Sequence, residues 1–233
     1  MRKLVIFCIW ITFVIYTIKV APLDRPDTAE IVSKLLTLRW GELNAYIPAL
    51  FSLMGVWPII YACLMFVDGK MQKKVRAWPS FIGSNGTGII CLTPYLLLRE
   101  RQQEFVGVKD KWLEMLDRRK TGLALLLSTI GCIAYAVIFG SWQEYVHQFQ
   151  NVAFVHLISI DFCLMCVLFP LTELFDDDMA KRGIKDRRIY WAVALIPLFG
   201  PLVYLCLRPP LAETTKLSLE RTGYPNISLP LVE

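Results

Sequence analysis

The chain has 233 residues, 55% of them hydrophobic and 19% charged, with a mean hydropathy of +0.48 and a formal net charge of +5. A composition this apolar excludes an ordinary soluble domain, and apolar runs broken by short charged segments point to a helical membrane protein. A bilayer core of about 30 Å needs roughly 20 apolar residues per helical crossing, which sets the element length to look for.

Six runs of that kind follow one another, at 4–20, 46–67, 78–98, 122–141, 152–174 and 189–207. The expected fold class is therefore all-α, a polytopic membrane protein of about six transmembrane helices. It divides into an N-terminal membrane anchor (1–21), an amphipathic surface segment (22–45), a five-helix transmembrane bundle (46–207) and a short polar tail (208–233). The first run begins like a signal peptide, but "IKVAP" makes a poor small-x-small cleavage site, so it is read as an uncleaved anchor. Two amphipathic helices should lie in the membrane interface. One covers 27–38, opening on Asp27-x-x-Glu30 with Ile31, Leu35 and Leu38 at helical spacing; the other covers 109–120, with Trp112, Leu113 and Leu116 on one side.

Lys and Arg number seven in 99–120 and five in 175–188, against none in 142–151. The positive-inside rule puts the two basic loops on the cytoplasmic or stromal side and the third opposite. If all six runs cross, the N-terminus lies away from the basic loops, whereas the basic "MRK" start favours their side. A basic rim suits anionic lipid headgroups, and nothing interleaves aromatic and basic residues as a nucleic-acid site would.

The third run carries Gly83, Gly86 and Gly88 in "FIGSNGTGII". A phosphate loop would need a Lys and Ser/Thr ending that is absent here, so the small residues are read as close helix packing, with Asn85 a candidate substrate contact. The fifth run, "HLISIDFCLMCVLFP", holds most of the unusual chemistry. At 100° per residue His156, Ser159, Cys163 and Cys166 share one helix face, while Asp161 lies about 140° from His156. An ionised carboxylate mid-crossing costs on the order of 2.5–3.5 kcal/mol, so Asp161 should meet a partner on another helix, with Asn85, Tyr61, Tyr135, Thr93 and Trp57 the candidates. On one continuous helix His147 and His156 would stand about 13.5 Å apart on opposite faces and could not sandwich one iron unless the helix breaks between them; chlorophyll or haem on His156 as a single ligand is the other possibility. The seven cysteines lie almost wholly inside apolar runs, where a thiol is inert packing.

Asp176, Asp177 and Asp178, followed by Lys181, Arg182 and Gly183, match ordinary helix capping rather than a cation site. In the last run Pro197, Gly200 and Pro201 should kink or break the helix, and such a break must face protein or water. "PIIYACL" in the second run and "PLVYLCL" in the last share a P-x-x-Y-x-C-L spacing, which hints at an internal repeat. Discontinuous helices in two halves are the pointer to a transporter site.

The segments "YIPALFSLMGVWPIIYACLMFVDGK", "PYLLLRE", "DFCLMCVLFP", "DDMAKRG" and "ALIPLFGPLVYLCLRPPL" together resemble an uncharacterised multipass membrane family of cyanobacteria and plant plastids, over most of 46–211. The resemblance implies a thylakoid or plasma membrane in a cyanobacterium-like organism, since the sequence shows no plastid transit peptide, and it supplies no catalytic residues. The last segment also resembles the membrane anchor ahead of some phospholipase D-like enzymes, but no HxKxxxxD motif follows.

The leading expectation is a non-enzymatic factor that binds membrane partners or pigments within the lipid bilayer. The rival is a small-molecule or proton-coupled transporter, with Asp161, His156, Asn85, Gly200 and Pro201 as candidate binding residues. An integral membrane enzyme is the least supported class, and no catalytic or metal-ligating set is assigned.

Overall fold

The computed structural model describes residues 1–19 and 26–213. Among the described residues there are twelve α-helices and no strand. In chain order they are α1 (Arg2–Lys19), α2 (Pro26–Leu36), α3 (Tyr46–Gly69), α4 (Ala77–Thr87), α5 (Ile89–Leu98), α6 (Lys111–Asp117), α7 (Arg119–Phe139), α8 (Trp142–Asn151), α9 (Ala153–Leu171), α10 (Glu173–Lys181), α11 (Arg187–Leu195) and α12 (Phe199–Leu207). Three of these, α3, α7 and α9, are long and apolar enough to span a membrane. Within the segments 27–38 and 109–120 the chain is helical over α2 and α6, with Arg119 and Lys120 already in α7. The tail expected over 208–233 lies outside the described residues beyond 213.

Two of the six expected crossings are not single helices. The run at 78–98 folds as α4 and α5, separated by Gly88 at φ 55° and ψ −128°, a backbone conformation essentially confined to glycine. The chain reverses there. A Cβ at Gly83 would sit 2.7 Å from that of Cys91, so the arms lie side by side. Ala77 starts α4 against Gly69, and Arg99, just past α5, bonds Asp68, so both arms begin and end at the C-terminal end of α3. With 11 and 10 residues, the arms reach only about 15–16 Å, half of a bilayer core. The run at 189–207 does the same. The break expected at Pro197 and Gly200 falls at 196–198, with Leu198 at φ 64°. α12 then returns along α11, so closely that a Cβ at Gly200 would run into the Val193 carbonyl. Arg187 and Arg208, which flank this second hairpin, both pair with carboxylates of α10.

The helices form two like halves. In the first, a long helix (α1), a short surface helix (α2), a second long helix (α3) and the α4–α5 hairpin follow in order. The second repeats that order with α7, α8, α9 and α11–α12, with α10 inserted. The packing repeats as well: α1 lies on α5 as α7 lies on α12, α3 on α4 as α9 on α11, and α5 on α9 as α12 on α3. α3 and α9 pack together at the centre, where Trp57, Tyr61, Phe169 and Phe175 form a buried aromatic core. The counterpart of α12 is thus α5, and not α3 as the shared P-x-x-Y-x-C-L spacing indicated. The two hairpins end on the same signal, Tyr95-Leu-Leu-Leu-Arg99 and Tyr204-Leu-Cys-Leu-Arg208.

The basic segments 70–76, 99–120 and 175–188 meet at one pole. The N-terminus is there too, with Arg2 paired to Asp176 and Lys3 donating to the Arg99 carbonyl. Asn44, Tyr46, Ser141 and Trp142 mark the opposite pole, where Asn44 Nδ2 donates to the Ser141 carbonyl and the Tyr46 ring packs edge-on against Trp142 and tilted against Tyr145. Here the 142–151 segment, expected as a loop, is the amphipathic α8, capped by the Ser141 hydroxyl accepting from the Glu144 N–H.

Candidate functional site: a carboxylate cavity beneath an ionic latch

Asp161 lies in the middle of α9 and is 7% exposed. Its Oδ1 accepts a hydrogen bond from the backbone N–H of Ile89 at 3.0 Å, the first residue of α5 after the Gly88 reversal. The carboxylate therefore caps the positive end of the α5 dipole. None of the five side chains expected to partner Asp161 donates to it. A Cβ at Gly88 would coincide with the carboxylate, so the glycine is required both by backbone conformation and by space. Asp161 Oδ2 has no hydrogen-bond partner among the described residues.

That carboxylate faces a cavity of about 260 Å³ lined by Ser84, Asn85 and Thr87 of the α4–α5 hairpin and by Phe13, Phe51 and Phe154 of the surrounding long helices. Asn85, Gly86 and Thr87 are exposed at the hairpin tip, whereas Ser84 and Gly88 are buried. The cavity contains one carboxylate and no Lys, Arg or His.

Of the other expected site residues, Asn85 joins Asp161 in this cavity, while His156, Gly200 and Pro201 do not. Gly200 and Pro201 are buried in the second hairpin. His156 Nδ1 faces the Phe149 carbonyl and Nε2 faces the Tyr16 hydroxyl of α1. With Nδ1–H donating to the carbonyl, Nε2 accepts from tyrosine, so a haem or chlorophyll metal would have to displace Tyr16 to reach it. The helical-wheel separation of Asp161 from Ser159 and Cys163 does hold, because those two line a different space. It is an apolar groove of about 580 Å³ between α3, α7, α8 and α9, walled by Tyr46, Leu53, Trp142, Phe149 and Cys163 among others.

Toward the basic pole the bundle is closed by buried ion pairs that capping chemistry had not anticipated. Asp68 receives the Arg99 guanidinium bidentately (2.8 and 2.6 Å), the Tyr95 hydroxyl (2.8 Å) and the Lys181 ammonium (3.1 Å). The second half repeats the set: Asp178 accepts from the Tyr204 hydroxyl (2.7 Å), Arg208 (3.2 Å) and Arg182 (2.9 and 3.2 Å). Arg182 continues to Asp117 at 2.7 Å. Among the links that join the halves are Arg99 and Arg101 to Asp177, at 2.6 and 3.0 Å, and Lys181 to Asp68. Asp68, Asp177 and Asp178 are each at most 1% exposed.

Burial opposes the charge on Asp178, but Arg182 and Arg208 outweigh it and hold the carboxyl down at about 2. Asp117 is likewise held below its usual value, against burial, by Arg182 and by the Leu211 N–H. Arg99 keeps its proton more firmly than a free arginine, since Asp68 and Asp177 overcome the cost of its burial. The only sequence signal for the latch was the repeated Tyr-x-x-x-Arg ending, which puts both polar groups on one helix face one turn apart.

The chain is thus an all-α protein with three helices suited to a membrane, built as two like halves around a buried carboxylate. No family model, curated protein or solved structure matches it.

Proposed function

We propose that the chain is a polytopic membrane carrier that exchanges a small organic cation for a proton at Asp161. Its four long helices, α1, α3, α7 and α9, cross the bilayer, while the two hairpins enter from the basic pole and turn back at about half depth. Irregular backbone at that depth is tolerated where it lines a cavity, which is where Gly88 sits. The positive-inside rule makes the basic pole cytoplasmic or stromal and places the N-terminus on that side.

The observation that carries the reading is the free oxygen of Asp161, facing a cavity at a broken helix between two like halves. Paired repeats and discontinuous helices are the architecture of secondary carriers. An anionic solute would find no basic side chain in this cavity. An ammonium group finds a carboxylate, hydroxyl and amide oxygens, and aromatic rings whose faces attract cations. Because an uncompensated carboxylate is costly at that depth, Asp161 holds either a proton or the organic cation. Binding the ammonium form releases the proton, and the exchange conserves charge. The ionic latch closes the basic pole while the cavity is reached from the hairpin tip.

The test uses proteoliposomes loaded with a pH-sensitive dye and given a gradient of choline, a cation that cannot itself carry a proton. Wild type should move protons against choline, and Asp161→Asn should not. The Asn Oδ1 can still accept the Ile89 N–H, so folding should be retained. Proton movement equal to wild type in Asp161→Asn would refute the exchange.

The apolar groove favours a second reading, in which the chain takes a lipid-soluble pigment or the acyl part of a membrane partner, as in a thylakoid or plasma-membrane factor. Its volume and aromatic lining suit such a molecule. Cys163 lines it and is exposed. Cys163→Trp should therefore fill the groove at little cost to stability and remove any lipid-soluble molecule that co-purifies with wild type, as read by absorption spectrum and mass spectrometry of the solubilised protein. Equal retention by both proteins would count against it.

A further inference from the structure

A further cavity, of about 370 Å³, lies at the basic pole beside the start of α7, outside the proposed transport site. It is lined by Lys109, Arg118, Arg119, Arg208, Glu114, Asp117 and Pro210. The acidic members are already occupied: Glu114 holds Arg118, and Asp117 is shared by Arg182, Lys109 and the Leu211 N–H. Arg119 makes no ion pair among the described residues. Arg208 is 3% exposed, yet its Nε–H has no hydrogen-bond partner, a deficit that costs free energy unless something supplies an acceptor. α7 also begins here without a side-chain cap; the Thr121 N–H is taken by the Arg118 carbonyl, which leaves the N–H groups of Arg119 and Lys120 without a partner in the helix. The unpaired Arg119, an Arg118 bound only to the exposed Glu114, an unfilled buried donor and an uncapped helix start together suit an oxyanion.

We infer that this cavity binds a phosphate ester, and that the ester is carried by an anionic phospholipid. What selects the lipid over free phosphate is the surface that continues from it. Leu123, Leu127 and Ile130 follow on α7 at helical spacing, each about half exposed, and form an apolar stripe running away from the cavity along the helix. A headgroup seated at Arg118 and Arg119 lays its acyl chains on that stripe. The arrangement also ties the lipid to the latch, because Arg208 contacts both the cavity and Asp178.

The experiment measures thermal stability and binding of the full chain in neutral detergent with three probes: short-chain phosphatidylglycerol, short-chain phosphatidylcholine and inorganic phosphate. Arg208→Ala would risk the fold, so the variants are Arg118→Gln and Arg119→Gln, whose side chains are exposed, with Arg187→Gln as a control elsewhere on the basic pole. Wild type should bind and be stabilised by phosphatidylglycerol in preference to phosphatidylcholine, with no effect of phosphate at matched concentration. Affinity should fall about fivefold for each charge removed at 118 and 119, and not in the control. Undiminished phosphatidylglycerol preference in the double variant would overturn the site. Equal stabilisation by inorganic phosphate would overturn the lipid assignment.

Discussion

Asp178→Ala should lower stability by about 3–5 kcal/mol, the usual cost of removing one partner from a buried ion pair. Asp178 anchors the Tyr204 hydroxyl and the Arg182 and Arg208 guanidiniums within one carboxylate. Its removal leaves two buried cations facing a gap, with only Asp117 and backbone carbonyls near them. Thermal denaturation in mild detergent should show a large drop in midpoint, while Glu104→Ala, on an exposed loop, should have little effect. The same carboxylate gives the protein an acid limit. Because the folded-state value of Asp178 is depressed to about 2 from an ordinary 3.8, its contribution is complete above about pH 3.8 and is lost as pH falls through about 2. Asp117, also depressed, reinforces the trend in the same direction. A denaturation midpoint that stays constant from pH 5 to pH 2 would show that the latch does not stabilise the fold.

The second large effect is expected at Gly88. An alanine there meets two obstacles, a backbone conformation of φ 55° and ψ −128° that L-residues avoid, and the Asp161 carboxylate in the space its Cβ would fill. The backbone alone costs about 1–3 kcal/mol, and displacing Asp161 breaks its bond to the Ile89 N–H. Gly88→Ala should therefore both destabilise the protein and abolish exchange. Its two causes separate in a double-mutant cycle with Asp161→Ala. Removing the carboxylate relieves the clash but not the backbone strain, so the double variant should be more stable than the sum of the single effects predicts. Strict additivity would mean that Gly88 and Asp161 do not meet.

How far the sequence disclosed this arrangement depended on what kind of signal each feature leaves. Long uninterrupted apolar runs such as 46–67 and 122–141 became α3 and α7, because burial or lipid exposure dictates both length and helicity. The runs at 78–98 and 189–207 are of similar length, and their Gly and Pro residues read as close packing and as a kink rather than as a reversal between two short arms. What decides is a single backbone reversal, at Gly88 in one case and beside Pro197 in the other. The glycines of the third run read as close packing, which Gly83 against Cys91 bears out, but a reversal is a stronger use of glycine than packing. Asp161 was legible as a residue whose cost demanded a partner. That partner is a backbone N–H, exposed by the hairpin break, and no side-chain inventory could have listed it. The acidic run 176–178 misled for a related reason. Its spacing fits a helix cap, and only the return of Arg99 and Arg208 to the same pole turns Asp177 and Asp178 into buried counter-ions. The Tyr-Leu-x-Leu-Arg endings were present in the sequence as a repeat, obscured by a weaker match between other segments.

The halves, the hairpins and the latch all bear on one carboxylate. The most direct test of the carrier is the choline-driven proton flux in proteoliposomes, measured for wild type and Asp161→Asn at equal reconstituted amounts. The geometry predicts proton movement in wild type that scales with the choline gradient and falls to the empty-vesicle rate in the variant. Proton movement that is absent in wild type, or unchanged in Asp161→Asn, would contradict it.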